Sequence, residues 1–126
     1  MDTRRKIVRD RAGWSAPEGA LAVAGPFDPL LAAHAEQLGR LKPEGRALVV
    51  FVAGPEDPIL PLEARAELVA ALGCVDAVVA DGGAPPQGAL DLTADHLAWR
   101  EAFLRRVRET RQREADGAGG GAAAGR

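Results

Sequence analysis

The sequence predicts an α/β protein built on a parallel, Rossmann-like sheet. Two observations carry this prediction: continuous apolar runs of five to seven residues alternate with segments of helical periodicity, and short Gly- and Pro-rich loops separate them. Unbroken hydrophobicity is typical of parallel strands that are covered on both faces. The order β-α-β-α-β over residues 20–80 forms one half of a doubly wound sheet. We therefore predict a truncated three-layer fold that a C-terminal helix completes.

The first strand and helix are predicted from a strand-turn-helix pattern. Residues 20–24 form the apolar run, and Gly25 ends it. Asp28 is expected to cap the following helix with its carboxylate, and Pro29 then occupies the first helical position, where its missing N–H costs nothing. The helix continues with a stripe at helical spacing, made of Leu30, His34, Leu38 and Leu41.

The remaining strands and helices are predicted from the same kinds of pattern, namely apolar runs and helix-start signals. Residues 47–53 are the strongest strand candidate, and Pro61 begins a second helix with acidic Glu63 in its first turn. Residues 75–80 predict a third strand, which is followed by a flexible loop over 81–88. A last helix is predicted over 93–112, and its apolar side is expected to pack on the sheet. That side contains Trp99, Phe103 and Val107, with Leu97 and Leu104 adjacent.

The chain of 126 residues suits one small domain. We predict an N-terminal arm over residues 1–19, a globular domain over 20–113 and a disordered Gly/Ala-rich tail over 114–126. The arm has no clear period, which favours a partly ordered leader. In the last helix, arginines gather towards the C-terminal end, where positive charge is favourable.

Charge is distributed unevenly and restricts the partners that the sequence favours. Residues 20–90 carry a net charge of −5, whereas residues 1–19 carry +2 and residues 91–126 carry +1. An acidic body argues against a nucleic-acid platform. It also means that a Mg²⁺ ion would have to offset the charge of a bound nucleoside triphosphate. One cysteine, Cys74, permits no internal disulfide. Since we find no apolar signal or membrane-length segment, we expect a cytoplasmic protein with no membrane partner.

Two motifs resemble a known enzyme family. Gly25-Pro26-Phe27-Asp28 followed by His34 is similar to the GxFDxxHxGH signature of cytidylyltransferase-like nucleotidyltransferases. Downstream, the segments LEAR at 62–65 and AALGCVD at 70–76 resemble the region after that family's second strand. The resemblance covers residues 20–81 and is nearest to the adenylyltransferase domain of heptose-phosphate nucleotidyltransferases of the RfaE type.

The resemblance implies transfer of a nucleotidyl group from a Mg²⁺-bound nucleoside triphosphate to a sugar phosphate, with release of pyrophosphate. Gly25 would let the backbone approach the phosphates, and Phe27 and Asp28 would shape the turn. His34 matches the second signature histidine, which faces the α-phosphate and is therefore the candidate catalytic group. Asp76 matches an aspartate at the start of the family's third strand.

Several positions depart from the family's pattern. The first signature histidine falls at Leu31, which offers no hydrogen bond to phosphate, and the signature glycine falls at Ala33. Residues 82–92 contain no hydroxyl side chain where the family has a Ser/Thr-rich phosphate motif. Because one missing donor can cost about 10²–10³ in rate, we expect activity to be weak or lost.

Each candidate residue also has a purely structural interpretation. His34 shares a stripe with leucines, so a half-buried or satisfied histidine is as well supported as a phosphate ligand. His96 is expected to be a neutral, exposed residue in the first turn of the last helix. Asp28 is better explained as a cap than as a catalytic carboxylate, and Asp76 as a cap or ion-pair partner. The two histidines and one cysteine form no metal-binding pattern.

The sequence leaves three functions open. The first is a nucleotidyltransferase-like domain with a degenerate site. The second is a non-catalytic protein-interaction or dimerisation module, because a half-Rossmann sheet leaves edges and apolar helix surface to cover. The third is an active transferase that uses arginines of the last helix or groups from a second subunit.

Overall fold

The computed structural model describes residues 2–120, with side chains as far as residue 117. A short 3₁₀ helix at Thr3–Lys6 precedes five strands and three helices. In chain order these are β1 (Ile7–Val8), β2 (Leu21–Gly25), α1 (Ala32–Leu41), β3 (Leu48–Val52), α2 (Leu62–Ala70), β4 (Ala77–Val79), β5 (Leu90–Asp91) and α3 (Thr93–Gly120).

The five strands form one sheet in the order β1-β4-β3-β2-β5, and every pairing is parallel. Val23 of β2 lies opposite Val50 of β3, and Val50 lies opposite Val78 of β4. The predicted α/β class is confirmed: the architecture is consistent with a truncated three-layer Rossmann-like fold.

The alternating side chains of β3 separate two apolar clusters. Leu48, Val50 and Val52 face α1 and α2, and they pack with buried Leu38 and Val69. Burying each such side chain contributes about 1.5–3 kcal/mol. This larger cluster makes one face of the sheet the main core.

The opposite face is covered more thinly. Val49 and Phe51 of β3 pack there with Val79 of β4, and Trp14 of the N-terminal segment lies against them. The guanidinium of Arg11 sits 5.3 Å from the centre of the Phe51 ring, a cation–π contact. The N-terminal segment thus forms part of the third layer.

The N-terminal segment is more ordered than the predicted leader. Ile7 and Val8 add a parallel edge strand beside Val78 and Val79 of β4. Local sequence could not reveal this strand because it is two residues long and its partner lies about 70 residues away. Another two-residue strand, Leu90–Asp91, was also missed between the predicted loop and last helix.

The last helix begins at Thr93, as predicted, but extends to Gly120. Residues 114–120 are therefore helical, in contrast to the predicted disordered tail, and residues 121–126 lie outside the described part of the chain. The expected packing of its apolar side on the sheet is also wrong for most of its length. His96 is its buried residue within 93–117, whereas Trp99, Phe103 and Val107 are only partly buried.

The first helix does not begin at Asp28 and Pro29. It begins at Ala32, after Leu31 at the N-cap position. The Asp28 carboxylate accepts hydrogen bonds from the amides of Ile59 and Leu60, at 2.7 and 2.8 Å. The predicted cap is therefore wrong, because a long-range contact occupies the carboxylate.

Asp76 has the structural role that the sequence favoured. Its carboxylate accepts hydrogen bonds from Lys42 Nζ at 2.6 Å and from the Leu48 amide at 2.8 Å. It thereby joins the end of α1 to the start of β3. Within residues 2–120, no helix combines the length and hydropathy needed to cross a bilayer.

Candidate functional site

Four aromatic side chains meet where β2 ends and α1 begins. Phe27 and His34 come from the junction, whereas His96 and Trp99 come from the first turns of α3. The His34 and His96 rings are edge-to-face with centroids 4.3 Å apart, and Trp99 lies 5.0 Å from His34. The predicted site residue His34 is thus joined by two residues that sequence reasoning did not select.

The backbone of Gly25 faces the imidazole of His96. A Cβ atom placed on Gly25 would lie 2.4 Å from His96 Nδ1 and 2.6 Å from Cε1. Atoms cannot approach so closely, so glycine is required here by His96. The family resemblance implied that the backbone of Gly25 approaches a phosphate. In this structure the imidazole of His96 occupies the space beside that backbone.

His34 is 1% exposed and its ring is fixed by the start of α1. The amide of Leu31 donates a hydrogen bond to His34 Nδ1 at 2.9 Å. Because Nδ1 accepts, the neutral ring must carry its proton on Nε2. This buried Nε2–H has no hydrogen-bond acceptor among the described residues.

His96 has the complementary proton arrangement. Gln37 donates its amide to Asp95 Oδ2 at 3.3 Å, which turns Gln37 Oε1 towards His96 Nε2, 2.9 Å away. His96 Nε2 is therefore the donor, and Nδ1 carries a lone pair with no partner in the described part of the chain. The expectation that His96 is exposed is wrong, since the residue is 1% exposed.

Both imidazoles are neutral near pH 7. Burial lowers the pKa of His34 to about 4, and the amide of Leu31, which donates to Nδ1, also favours the neutral ring. Burial, and to a smaller extent the neighbouring His34, lower the pKa of His96 to about 3, while Asp91 acts in the opposite direction. Neutral rings provide no positive charge for a polyphosphate.

Phe27, the third predicted binding residue, occupies a constrained position. Its φ angle is 47°, in the left-handed region that bulky residues rarely adopt. The ring is fully buried and lies edge-on to His96, with centroids 4.4 Å apart. Such a backbone conformation costs about 1–3 kcal/mol, and packing of the ring against the two histidines opposes that cost.

The positions that depart from the family pattern lie beside this cluster. Leu31 and Ala33 help to line a hollow of about 280 Å³ together with Trp99 and Arg106. The substituted histidine and glycine positions therefore face α3. Arg106 supplies the one cationic side chain among the residues that line this hollow.

Asp28, the fourth predicted binding residue, is 2% exposed and belongs to a group of charges that the sequence did not indicate. Besides its two amide donors, its carboxylate lies 3.4 Å from Arg100 Nε. Arg65, also buried, acts on it electrostatically. These contacts join the junction, α2 and α3, which explains why no local pattern revealed them.

No group of three or more His, Cys, Asp or Glu side chains that could hold a metal ion occurs in the described part of the chain. The cluster around His34 and His96 therefore offers two neutral imidazoles, an indole and a phenyl ring, in an arrangement suited to packing. Neither the models of protein families nor the curated protein sequences contain a match to this chain.

Proposed function

We propose that this chain is a nucleotidyltransferase-like domain of the sugar-phosphate type that no longer transfers nucleotides. The observation that carries the proposal is the position of His96 over Gly25, where an added Cβ would be 2.4 Å from the imidazole. The strand-turn-helix scaffold is retained, while the space beside its backbone holds a side chain.

The chemistry of the site supports the same proposal. Transfer at an α-phosphate needs donors or cations directed at the negative charge that develops there. His34 is neutral and directs Nδ1 to the Leu31 amide. The position of the other signature histidine is occupied by Leu31 itself. Loss of several donors, each worth about 10²–10³ in rate, leaves negligible turnover.

Calorimetry with ATP or CTP and Mg²⁺, together with a pyrophosphate-release assay with heptose phosphate, tests this proposal. We expect no heat of binding at millimolar nucleotide and no pyrophosphate above the protein-free rate. Release of pyrophosphate by the unaltered chain, with loss of that activity in His34→Ala, would overturn the proposal. The variant Glu109→Gln, on the exposed part of α3, controls for preparation differences.

A second candidate is a module that binds another protein or a second copy through α3. The helix has 28 residues, a length of about 42 Å. Phe103 and Val107 are spaced by four and only partly buried, as is Trp99 at the edge of the aromatic cluster, and Leu97 on another side of the helix is 42% exposed. An apolar stripe of this kind is typical of a surface that a partner covers.

Sedimentation equilibrium over a range of concentrations tests the second candidate for a homodimer. We expect Val107→Glu to weaken any association, whereas Arg108→Glu, beside it but exposed, should change it less. A monomer at every concentration would remove the homodimer version.

A further inference from the structure

A shallow groove runs along the exposed side of α3. Its volume is about 360 Å³, and its walls are formed by Phe103, Arg106, Val107, Thr110 and Arg111. All of these residues belong to α3, so no other element of the described chain contributes a wall. The groove is therefore open to a partner along the part of the helix that leaves the body of the protein.

The floor of the groove is apolar and has the spacing that helices use to pair. Phe103 and Val107 lie about one helical turn apart, and Thr110 follows three residues later on the same side. The first two side chains are partly buried, whereas Thr110 is exposed. Anchors at positions i, i+4 and i+7 are typical of helices that bind a second helix.

Positive charge borders this floor. With about 100° of rotation per residue, Arg106 lies on one side of the apolar stripe and Arg111 on the other. Both residues are exposed and both line the groove. Neither guanidinium has an ion-pair partner among the described side chains of residues 2–117. Their charges are thus available to a partner, and a guanidinium stays protonated in proteins.

The charge of the surrounding segment argues against a second α3 as that partner. Residues 105–113 contain five arginines and one glutamate, a net charge of +4, and residues 108–117 are all exposed. Two copies of this segment lying side by side would repel each other, since like charges within a Debye length of about 8–10 Å are poorly screened. The electrostatics favour an acidic partner.

Resting on the second candidate function, we propose that α3 binds an acidic amphipathic helix of another protein. Apolar side chains of that helix enter the groove over Phe103 and Val107, and its carboxylates pair with Arg106 and Arg111, because guanidinium and carboxylate groups form strong, directional hydrogen bonds. Flanking charges of this kind select the partner in paired helices. A nucleic acid would supply anions but no aliphatic side chains for the floor, and the net charge of −5 over residues 20–90 repels a long polyanion.

A synthetic peptide of about three heptads, with Leu at a and d and Glu at e and g, tests this proposal. Fluorescence anisotropy measures its binding to the full-length protein at an ionic strength of about 0.15 M. Two related peptides carry Gln in place of Glu, or Ser in place of Leu. We expect saturable binding of the Leu/Glu peptide and binding of the other two that is weaker by at least about tenfold.

The peptides separate failure of this proposal from failure of the function on which it rests. Equal binding of the Leu/Gln and Leu/Glu peptides would overturn an acidic partner but leave α3 as an apolar docking surface. Absence of saturable binding by both would overturn this proposal and count against a helical protein partner for α3. Tighter binding of a short RNA duplex, or of phosphatidylserine vesicles, would also overturn it, because the arginines would then serve another class of partner.

Two charge reversals test whether the peptide binds in the groove. Arg111→Glu changes a residue at its border and should weaken binding of the Leu/Glu peptide by at least about tenfold through repulsion. Arg105→Glu makes the same change of charge at an exposed residue on the opposite side of the helix, and its affinity should stay within about threefold of the unaltered protein. Equal loss in both variants, or no loss in Arg111→Glu, contradicts docking in the groove.

Discussion

Two neighbouring strand ends at the same edge of the sheet have opposite chemistry. After β2, the space beside Gly25 is filled by the neutral ring of His96. After β3, a cleft remains open and is lined by buried, cationic Arg65. The topology is the same at both places, so it does not decide whether a ligand can bind. The side chains that arrive from α2 and α3 decide it.

The largest expected loss of stability comes from replacing Asp28, whose carboxylate lies between the two strand ends. Asp28→Asn should destabilise the fold by about 3–5 kcal/mol, because it leaves buried Arg65 without an anionic partner and leaves Arg100 with only the exposed Asp57. Chemical denaturation monitored by circular dichroism measures this loss. The control Asp57→Asn removes an exposed carboxylate near the same arginine and should change stability by less than about 0.5 kcal/mol. Similar losses in both variants would contradict the central role of Asp28.

The two buried histidines beside the end of β2 should also make the stability of the protein sensitive to acid. An unfolded histidine titrates near its usual pKa of 6.5, whereas the pKa values of His34 and His96 in the fold are about 4 and about 3. The unfolded chain therefore binds more protons below about pH 6.5, so stability is full above this pH and falls as the pH decreases towards 3–4. We expect a loss of about 4 kcal/mol between about pH 7 and pH 5, nearly 2 kcal/mol from each ring.

Urea denaturation at several pH values measures this dependence. His96→Gln removes one of the two titrating rings and should reduce the loss by about half. A pH profile that is flat between neutral pH and pH 5 would show that the two rings are not held neutral by burial.

The contact between Gly25 and His96 can be tested directly. Gly25→Ala should cost about 2 kcal/mol, because its Cβ would overlap the imidazole. Combining it with His96→Ala should remove most of that additional cost, and a double-mutant cycle measures the coupling. Gly39→Ala in α1 is the matched control, since its Cβ would meet no atom within 4 Å and alanine favours the helix. Strict additivity of Gly25→Ala and His96→Ala would contradict the contact.

The smallest effect is expected at the far end of α3. Ending the chain after Gln112 should change the free energy of unfolding by less than about 0.5 kcal/mol, because the described side chains beyond it are exposed. Thermal denaturation at low protein concentration measures the change. A loss above about 1 kcal/mol would mean that this part of the helix packs against something in solution.

The sequence predicted the framework better than the site. Three of the five strands and all three helices were expected, because their hydrophobic patterns are local and strong. The burial of His96 depends on Gly25 and His34, which lie more than 60 residues earlier, so its helix position alone suggested an exposed residue. Asp28 shows the same limit, since its carboxylate binds amides 31 and 32 residues away rather than capping the adjacent helix.

Arg65 illustrates a second reason why the sequence predicted the site less well than the framework. It lies in a helix that was correctly predicted, within a segment that the family resemblance includes. Its burial depends on carbonyls from two separate loops, at Pro26 and Gly54. Sequence periodicity places an arginine on a helix, but it does not show whether a neighbouring carboxylate is already shared with Arg100.

The two outer strands, Ile7–Val8 and Leu90–Asp91, have a consequence for self-association. Each contains two residues, so each presents a short row of backbone groups to a neighbouring molecule. Short outer strands are a means by which native sheets resist growth by strand addition. Copies of this protein are therefore poorly equipped to join through their backbones, and contacts between molecules are directed towards side-chain surfaces such as the apolar stripe of α3.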